Sequence, residues 1–158
     1  MVHEPALLAV APDSEAGAAE IEPAPEDARG AFPILELASR SPRAAMEAFV
    51  RKYTSDATFE RLDPMLRERV LGNGAHFFAR EIEAFASYVP DVWRLRGAGV
   101  PIRQQASRDG LAGDADRTAW LATQLDLPVE LVSGHHAPYV QHPDMFAEEL
   151  RPTLREIV

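Results

Sequence analysis

Residues 128–150 read PVELVSGHHAPYVQHPDMFAEEL, and this stretch carries the strongest structural signal in the chain. The β-branched run at 129–132 is typical of a short strand, and Asp144 begins a segment with helical spacing of its apolar residues. Two adjacent histidines, His135 and His136, lie on the loop between these two elements. A histidine on such a loop is well placed to move protons, because its pKa lies near neutrality.

Strand and helix patterns also alternate just upstream of this stretch. Residues 100–105 are predicted as a short strand, and Asp114 or Asp116 is placed to cap the helix that follows. The resulting order β-α-β-α predicts parallel strands, and chemistry in parallel sheets gathers at the carboxyl ends of the strands. Residues 107–110 follow one such end and residues 133–136 follow the other.

The middle of the chain is predicted to be helical. Ser41 and Pro42 form an N-cap and first-turn pair, which predicts a helix near 42–54. A second helix is predicted over about 58–71, ending at a glycine, and a third from Ala75 to Pro90.

Two aromatic side chains of the third predicted helix, Phe77 and Phe78, lie on its apolar face. A stripe of this kind most simply forms core, and a role in binding substrate is the alternative.

Residues 11–30 form an acidic segment, APDSEAGAAEIEPAPEDARG, with Ile21 as its one large aliphatic residue. Such a segment buries too little apolar surface to offset its ordering entropy, so we predict a flexible loop. The chain as a whole has a net charge of -9. Phosphate binding needs an excess of cations, so nucleic acid is not expected as a partner, and attraction to an anionic membrane is disfavoured.

The length of 158 residues is that of one domain with a sizeable core. The chain has no cysteine, which excludes disulfides, thiolate metal sites and a cysteine nucleophile. Neither a secretory leader nor an apolar stretch of roughly 20 residues is recognisable, so we expect a cytoplasmic protein.

Three segments together resemble successive landmarks of the C-terminal half of the α/β-hydrolase superfamily. They are VHEPALLAVAPD at 2–13, YVPDVWRLRGAGVPIRQQASRD at 88–109 and VELVSGHHAPYVQHPDMFAEEL at 129–150. The resemblance implies a partial α/β-hydrolase fold, with two to three parallel edge strands and a mostly helical cap. In this division residues 1–5 end a strand of the sheet, 6–90 form the acidic loop and the helical cap, and 91–158 form the C-terminal β-α-β-α part of the core.

The resemblance selects His136 as the catalytic histidine, because the family's histidine is followed by two residues and then an aromatic, here Ala137, Pro138 and Tyr139. A general base of this kind needs a neutral imidazole near pH 7, held by a carboxylate and facing a hydroxyl. Tyr139 joins the aromatic pair Phe77 and Phe78 as an expected substrate-binding residue. The alternative is a loop in which the rings of His135 and His136 only satisfy backbone groups.

Two carboxylates compete for the role of the acid that orients His136. Asp109 follows the predicted strand at 100–105, where the family usually keeps its acid, although a shift in register would put Ser107 there instead. Glu4 is the alternative, because some members of the family place the acid one strand earlier. The simpler interpretations are an Asp-Gly turn at Asp109 and a solvated chain end at Glu4.

A metal site built from His135, His136 and His142 would lack a companion acid or thiolate at a recognised spacing. We therefore expect neither a metal nor another cofactor, and interpret His142 as the entry to the last helix.

The family's nucleophile motif, G-x-S-x-G, does not occur in the sequence. The resemblance puts that serine and the oxyanion hole upstream of Met1, so we interpret the chain as a hydrolase fragment that is inactive alone and has an exposed sheet edge available for self-association. The implied reaction is serine-dependent hydrolysis of an ester or similar acyl bond in a small-molecule substrate. The alternative is a non-catalytic module that binds a small ligand or a protein.

Overall fold

A three-stranded parallel sheet organises the chain, which is a mixed α/β structure and mostly helical. The computed structural model describes residues 1–7, 9–10 and 27–157. The strands are β1 (Val2–His3), β2 (Gln104–Ser107) and β3 (Val129–Val132), and β2 lies in the middle. The parallel pairing that the sequence predicts is confirmed.

The predicted strand at 129–132 is confirmed, but the one predicted at 100–105 is shifted toward the C-terminus. Strand β2 begins at Gln104, and all four of its residues are buried. Pro101 has no backbone N–H to donate to a ladder, which disfavours an earlier start. The strand QQAS is buried although most of its side chains are polar. Because its sequence has no apolar pattern, hydrophobicity alone did not locate the end of the strand.

The other elements among the described residues are helical. They are α1 (Asp27–Arg40), α2 (Pro42–Thr54), α3 (Asp56–Arg61), α4 (Pro64–Gly72), α5 (Gly74–His76), a π-helical turn (Phe77–Glu81), α6 (Ile82–Ser87), α7 (Val92–Gly97), α8 (Ala112–Leu125), α9 (Pro138–Gln141) and α10 (Pro143–Ile157).

The helix predicted near 42–54 is confirmed, and its N-cap is Ser41, whose side chain accepts a hydrogen bond from the Ala44 N–H. The helix predicted over 58–71 is instead divided into α3 and α4. The division has a local cause: Asp63 caps α4 and Pro64 occupies its first turn, where a proline is favoured. The segment predicted as a third helix is interrupted by the π-helical turn.

The acidic loop predicted for 11–30 is wrong at its end, because α1 begins at Asp27. Residues 11–26 lie outside the described residues. Helix propensity did not predict α1, because the segment contains Pro33. The packing of α1 against α2 supplies the stabilisation that the isolated segment lacks.

Two apolar clusters form the core. One joins Leu7 and Val10, which follow β1, to Leu121 of α8. The other joins Met46, Phe59 and Leu71 within the helices α2 to α4. The segment after β3, which carries the histidines and α9, contacts the helices α2 to α4. Gln141 of α9 donates a hydrogen bond to the carbonyl of Thr54 in α2 at 2.6 Å.

No helix among the described residues has the length and apolar character needed to cross a membrane. On the sheet, Val2 and Glu4 direct their N–H groups to β2, which leaves the N–H of His3 on the outer edge. Self-association through that edge stays a prediction.

Gln104 is a polar residue of the central strand that makes no side-chain hydrogen bond within the described residues. Its side chain is fully buried, with both amide atoms unpartnered. We expect Gln104→Met to raise the free energy of unfolding by about 1–3 kcal/mol, because it removes the desolvation cost at nearly constant shape. Urea denaturation measures this.

Gln105→Met is the matched control for this prediction. The Gln105 side chain points to the opposite face of β2 and donates to Glu130 at 3.2 Å, while its Oε1 atom is unpartnered, so its replacement is expected to give a smaller gain than that of Gln104. A Gln104→Met protein less stable than the native chain would contradict the interpretation.

Candidate functional site

The carboxyl ends of the three strands bring residues from distant parts of the chain to one place. Strand β1 is followed by Glu4, β2 ends at Ser107, and β3 leads into the loop at 133–137. Glu4 has a φ of 37°, a left-handed conformation that is uncommon for a residue other than glycine. Such strain is held by surrounding structure and is frequent at functional sites, and here it accompanies a carboxylate that leaves the strand for the interior.

Glu4 and His136 form the central pair of this site. The Nδ1 atom of His136 lies 2.9 Å from Oε2 of Glu4, and the Glu4 side chain is completely buried. The other carboxylate oxygen of Glu4, Oε1, accepts a hydrogen bond from the Ser107 N–H at 2.7 Å. Both oxygens of Glu4 are therefore engaged, which holds the carboxylate in one orientation toward the imidazole.

A second buried carboxylate, that of Asp114 on α8, faces the same nitrogen. Its Oδ2 atom lies 3.4 Å from His136 Nδ1, an ion-pair contact that is longer than a good hydrogen bond. Its Oδ1 atom lies 3.4 Å from Nη1 of the buried Arg117. Two acids and two basic side chains thus share one buried cluster, which we call the Glu4–Asp114–His136 cluster.

This environment changes the protonation state of His136. Burial lowers the pKa of the imidazole, but the nearby carboxylates of Asp114 and Glu4 together outweigh it and raise the pKa to about 9. The imidazole is therefore protonated near neutral pH. This corrects the expectation of a neutral imidazole at pH 7, which assumed one carboxylate beside the ring.

His3 contributes a second, differently tuned imidazole. Burial is the largest influence on it and lowers its pKa, so the ring is neutral near pH 7. Its Nε2 atom lies 3.2 Å from the carbonyl of His136, which can only accept, so Nε2 carries the hydrogen. Ser107 Oγ lies 3.2 Å from the same nitrogen and donates to the carbonyl of His135 at 2.6 Å. The Ser107 hydroxyl is thus held by two partners within the structure.

Hydrogen bonds to side chains of α9 and α10 hold the loop that carries His135 and His136. Glu149 of α10 accepts hydrogen bonds from the N–H and hydroxyl of Ser133, and these bonds lower the pKa of the Glu149 carboxyl. Gln141 accepts from the His135 N–H at 2.7 Å and donates to the helical layer. The backbone that carries His136 is therefore held by hydrogen bonds from two helices.

Asp109 is not beside His136, contrary to its expected place in the site. Its side chain is exposed, and its backbone N–H donates to the carbonyl of Gly134 at 3.1 Å. Of the two carboxylates that the sequence proposes as the acid, the structure brings Glu4 to Nδ1. The reason is geometric: β1 ends directly beside β2, whereas Asp109 lies two residues beyond the end of β2 on a turn.

Asp114 is the acid that the sequence did not assign to the site. Its expected role was to cap the helix, with Asp116 as the alternative, but the N-cap position of α8 is occupied by Leu111. The pairing of Asp114 with Arg117 at a spacing of three residues was the available signal, since such pairs share one helix face. Their burial could not be read from it.

The aromatic residues expected to bind substrate are distributed between two places. Phe77 and Phe78 are partly buried and pack against the core cluster of α2 to α4. Tyr139 is 58% exposed, with its ring 6.1 Å from that of Phe146. The aromatic ring that contacts His136 is instead that of Tyr53, with 5.1 Å between the two ring centroids. A substrate role for the three predicted residues stays a prediction.

Tyr53 connects His136 to the aromatic residues of the helical layer. Its ring centroid lies 4.6 Å from that of Phe49, which in turn lies 5.0 Å from Phe77. The imidazole of His136 therefore lies beside aromatic side chains supplied by α2. The His136 side chain is 29% exposed. No residue in the described part of the chain hydrogen-bonds to Nε2 of His136.

Gly110 makes the approach of Glu4 to Ser107 possible. A Cβ atom at this position would lie 2.5 Å from Oε1 of Glu4 and 3.2 Å from the Cβ of Ser107. We expect Gly110→Ala to displace the Glu4 carboxylate and to lower the free energy of unfolding by about 1–3 kcal/mol. Thermal and urea unfolding measure the loss.

Gly72→Ala provides the control for the Gly110 variant. A Cβ at Gly72, the last residue of α4, would meet nothing within 4 Å, so this variant is expected to be as stable as the native chain. Equal stability of the two alanine variants would argue that the Glu4 carboxylate tolerates displacement.

Comparison with known proteins adds no relative: no protein-family model, curated protein or solved structure matches the chain. Functional inference therefore depends on the geometry of the site itself.

Proposed function

We propose that this chain carries the histidine and acid of an α/β-hydrolase-type site, with His136 as the acid–base residue and Glu4 as the residue that orients it. The reaction is hydrolysis of an ester or a similar acyl bond of a small molecule. The observation that carries the proposal is the 2.9 Å contact between Nδ1 of His136 and the buried Glu4 carboxylate at the carboxyl ends of parallel strands.

The arrangement has the features that proton transfer requires. Glu4 selects the orientation of the ring and stabilises its protonated form, while Nε2 on the opposite side of the ring has no partner among the described residues. At neutral pH, Nε2–H is a proton donor. At pH values above the raised pKa of about 9, the same nitrogen becomes a general base.

The nucleophile is the part of the mechanism that this site does not supply. The hydroxyl nearest to the cluster in the hydrogen-bond network is that of Ser107, which is 5% exposed and donates to the His135 carbonyl. It contacts His3 rather than His136. We therefore infer that acyl transfer involving His136 uses water or a nucleophile from outside this network.

Hydrolysis of p-nitrophenyl acetate in the presence of EDTA tests the proposal. Because the site lacks a nucleophile, we expect no ordinary esterase activity but only a slow background rate that increases with pH through about 9, as Nε2 loses its proton. His136→Gln is expected to reduce the rate by about tenfold or more, since general-base catalysis typically contributes at least that much. His135→Gln and Ser107→Ala are expected to leave the rate unchanged.

The control variants make the outcome decisive. If the native chain and His136→Gln hydrolyse the ester at the same rate at every pH, the acid–base assignment is wrong. If Ser107→Ala abolishes turnover, a serine nucleophile exists within the chain and the proposed division of roles fails.

A binding module is the second candidate, and one feature favours it. An open apolar groove of about 300 Å³ lies between the segment after β1 and α6, lined by Pro5, Ala6, Leu7, Ala84 and Tyr88. Its size and apolar lining suit a small hydrophobic ligand. The groove lies on a different set of residues from the Glu4–Asp114–His136 cluster, so Ala84→Trp should block binding of an apolar probe such as anilinonaphthalene sulfonate without changing ester hydrolysis.

A further inference from the structure

The Glu4–Asp114–His136 cluster has a feature that the acid–base role does not use. Ligand atoms of Glu4, Asp114 and His136, one from each residue, lie within 4.8 Å of one another. The outer oxygen of each carboxylate already has a partner: Ser107 N–H holds Glu4 Oε1, and Arg117 contacts Asp114 Oδ1. The inner oxygens are thereby left to face a common point next to Nδ1.

Asp114 Oδ2 provides an independent indication that this point takes a ligand. The Asp114 side chain is only 6% exposed, yet Oδ2 makes no hydrogen bond within the described part of the chain. A buried carboxylate oxygen without a hydrogen-bond donor is costly unless a charge compensates it. Its nearest charged neighbour across the cluster is His136 Nδ1 at 3.4 Å, too far for a good hydrogen bond.

The separations of these atoms match those of ligands around one small cation. Ligand atoms each about 2.05 Å from an ion are about 2.9 Å apart at a right angle and about 3.3 Å apart at the tetrahedral angle. The observed separations from His136 Nδ1 are 2.9 Å to Glu4 and 3.4 Å to Asp114. The three ligand atoms as a set lie within 4.8 Å of one another.

We propose that Glu4, Asp114 and His136 form a binding site for a divalent transition-metal ion, with Zn²⁺ as the representative member. One imidazole nitrogen and two carboxylate oxygens form a ligand set that suits zinc, whereas magnesium and calcium prefer oxygen alone. The two carboxylates balance the charge of the ion.

The ion and the proton of the acid–base role are alternative occupants of the same nitrogen. Metal binding requires His136 Nδ1 to be unprotonated, so the ion would hold the imidazole and prevent its tautomeric exchange. The inference goes beyond the proposed hydrolase role and does not depend on it, because it uses only the geometry of the three side chains. It also departs from the expectation of no metal: the site uses His136 with two acids in place of His135 and His142.

Isothermal titration calorimetry of the full chain, first freed of metal with EDTA, tests the site. We expect Zn²⁺ to bind with one-to-one stoichiometry at pH 8, and Mg²⁺ to produce no heat. His136→Gln and Asp114→Asn are each expected to weaken Zn²⁺ binding by about tenfold or more, since loss of a ligand exceeds the effect of losing a supporting contact. Circular dichroism checks that both variants retain the native helix content.

His135→Gln and His142→Gln are the matched controls, and both should bind Zn²⁺ with the affinity of the native chain. Absence of Zn²⁺ binding to the native chain would overturn the proposal, and so would undiminished binding by folded His136→Gln and Asp114→Asn. Ester hydrolysis measured in EDTA is separate from this result, so failure of the metal site and failure of the hydrolase role are distinguishable.

Discussion

Replacing Glu4 with glutamine is expected to lower the free energy of unfolding by about 3–5 kcal/mol. The carboxylate is completely buried, and its removal leaves the His136 imidazolium without its nearest counter-charge, which is costlier than never having buried the pair. The amide that replaces it retains an oxygen for the Ser107 N–H, so the loss reports on the ion pair rather than on shape. Chemical denaturation at pH 7 measures the change.

Glu68→Gln is the matched control, because it makes the same substitution in an ion pair on the surface. Glu68 accepts two hydrogen bonds from Arg43, and its side chain is 66% exposed. An exposed pair of this kind contributes about 1 kcal/mol or less. Equal losses in the two variants would show that burial does not strengthen the Glu4–His136 pair.

The stability of the native chain is expected to fall by about 3 kcal/mol as the pH rises from 6.5 through about 9 in the presence of EDTA. The folded pKa of His136, about 9, is raised above the unfolded value of 6.5. The folded state therefore binds more protons in this window, so the stabilisation is complete below pH 6.5 and is lost as His136 deprotonates. Burial lowers the pKa of His136, and the carboxylates of Asp114 and Glu4 raise it; His3, Arg117 and Tyr53 also lie around this cluster.

His3 does not obscure this measurement. Its pKa is lowered, so the stability that it contributes is present above pH 6.5 and is lost as the pH falls below that value. His136→Gln should therefore flatten the curve between pH 6.5 and 9, and it should move the acid limb to higher pH, because the charge of His136 helps to lower the pKa of His3. Urea unfolding at intervals of pH measures both limbs, and a His136→Gln protein with the slope of the native chain would contradict the prediction.

Local signals were sufficient where short-range chemistry determines the structure. Ser41 and Pro42 begin α2, and the β-branched run at 129–132 forms β3. The polar loop after β3 carries His136 where the sequence predicts it. Each of these features depends on neighbours within a few residues, so propensity and capping predict it without knowledge of the fold.

Only the tertiary structure decided which acid lies beside His136. Glu4 is 132 residues from His136, and it reaches Nδ1 because β1 and β2 pair in parallel and Glu4 leaves β1 with a positive φ. Asp109 is much closer in sequence but lies on a turn, with its side chain in solvent. Separation along the chain carries no information on which of these two carboxylates is buried.

The protonation state of His136 was likewise decided by packing. The sequence by itself determined a mixed α/β chain with parallel strands and a histidine on the loop after the last of them. In the tertiary structure both Glu4 and Asp114 lie beside that histidine. Two buried carboxylates stabilise the protonated imidazole more strongly than one solvated carboxylate would. The physical reason is that electrostatic interactions depend on distance and desolvation in three dimensions, which short-range sequence patterns do not encode.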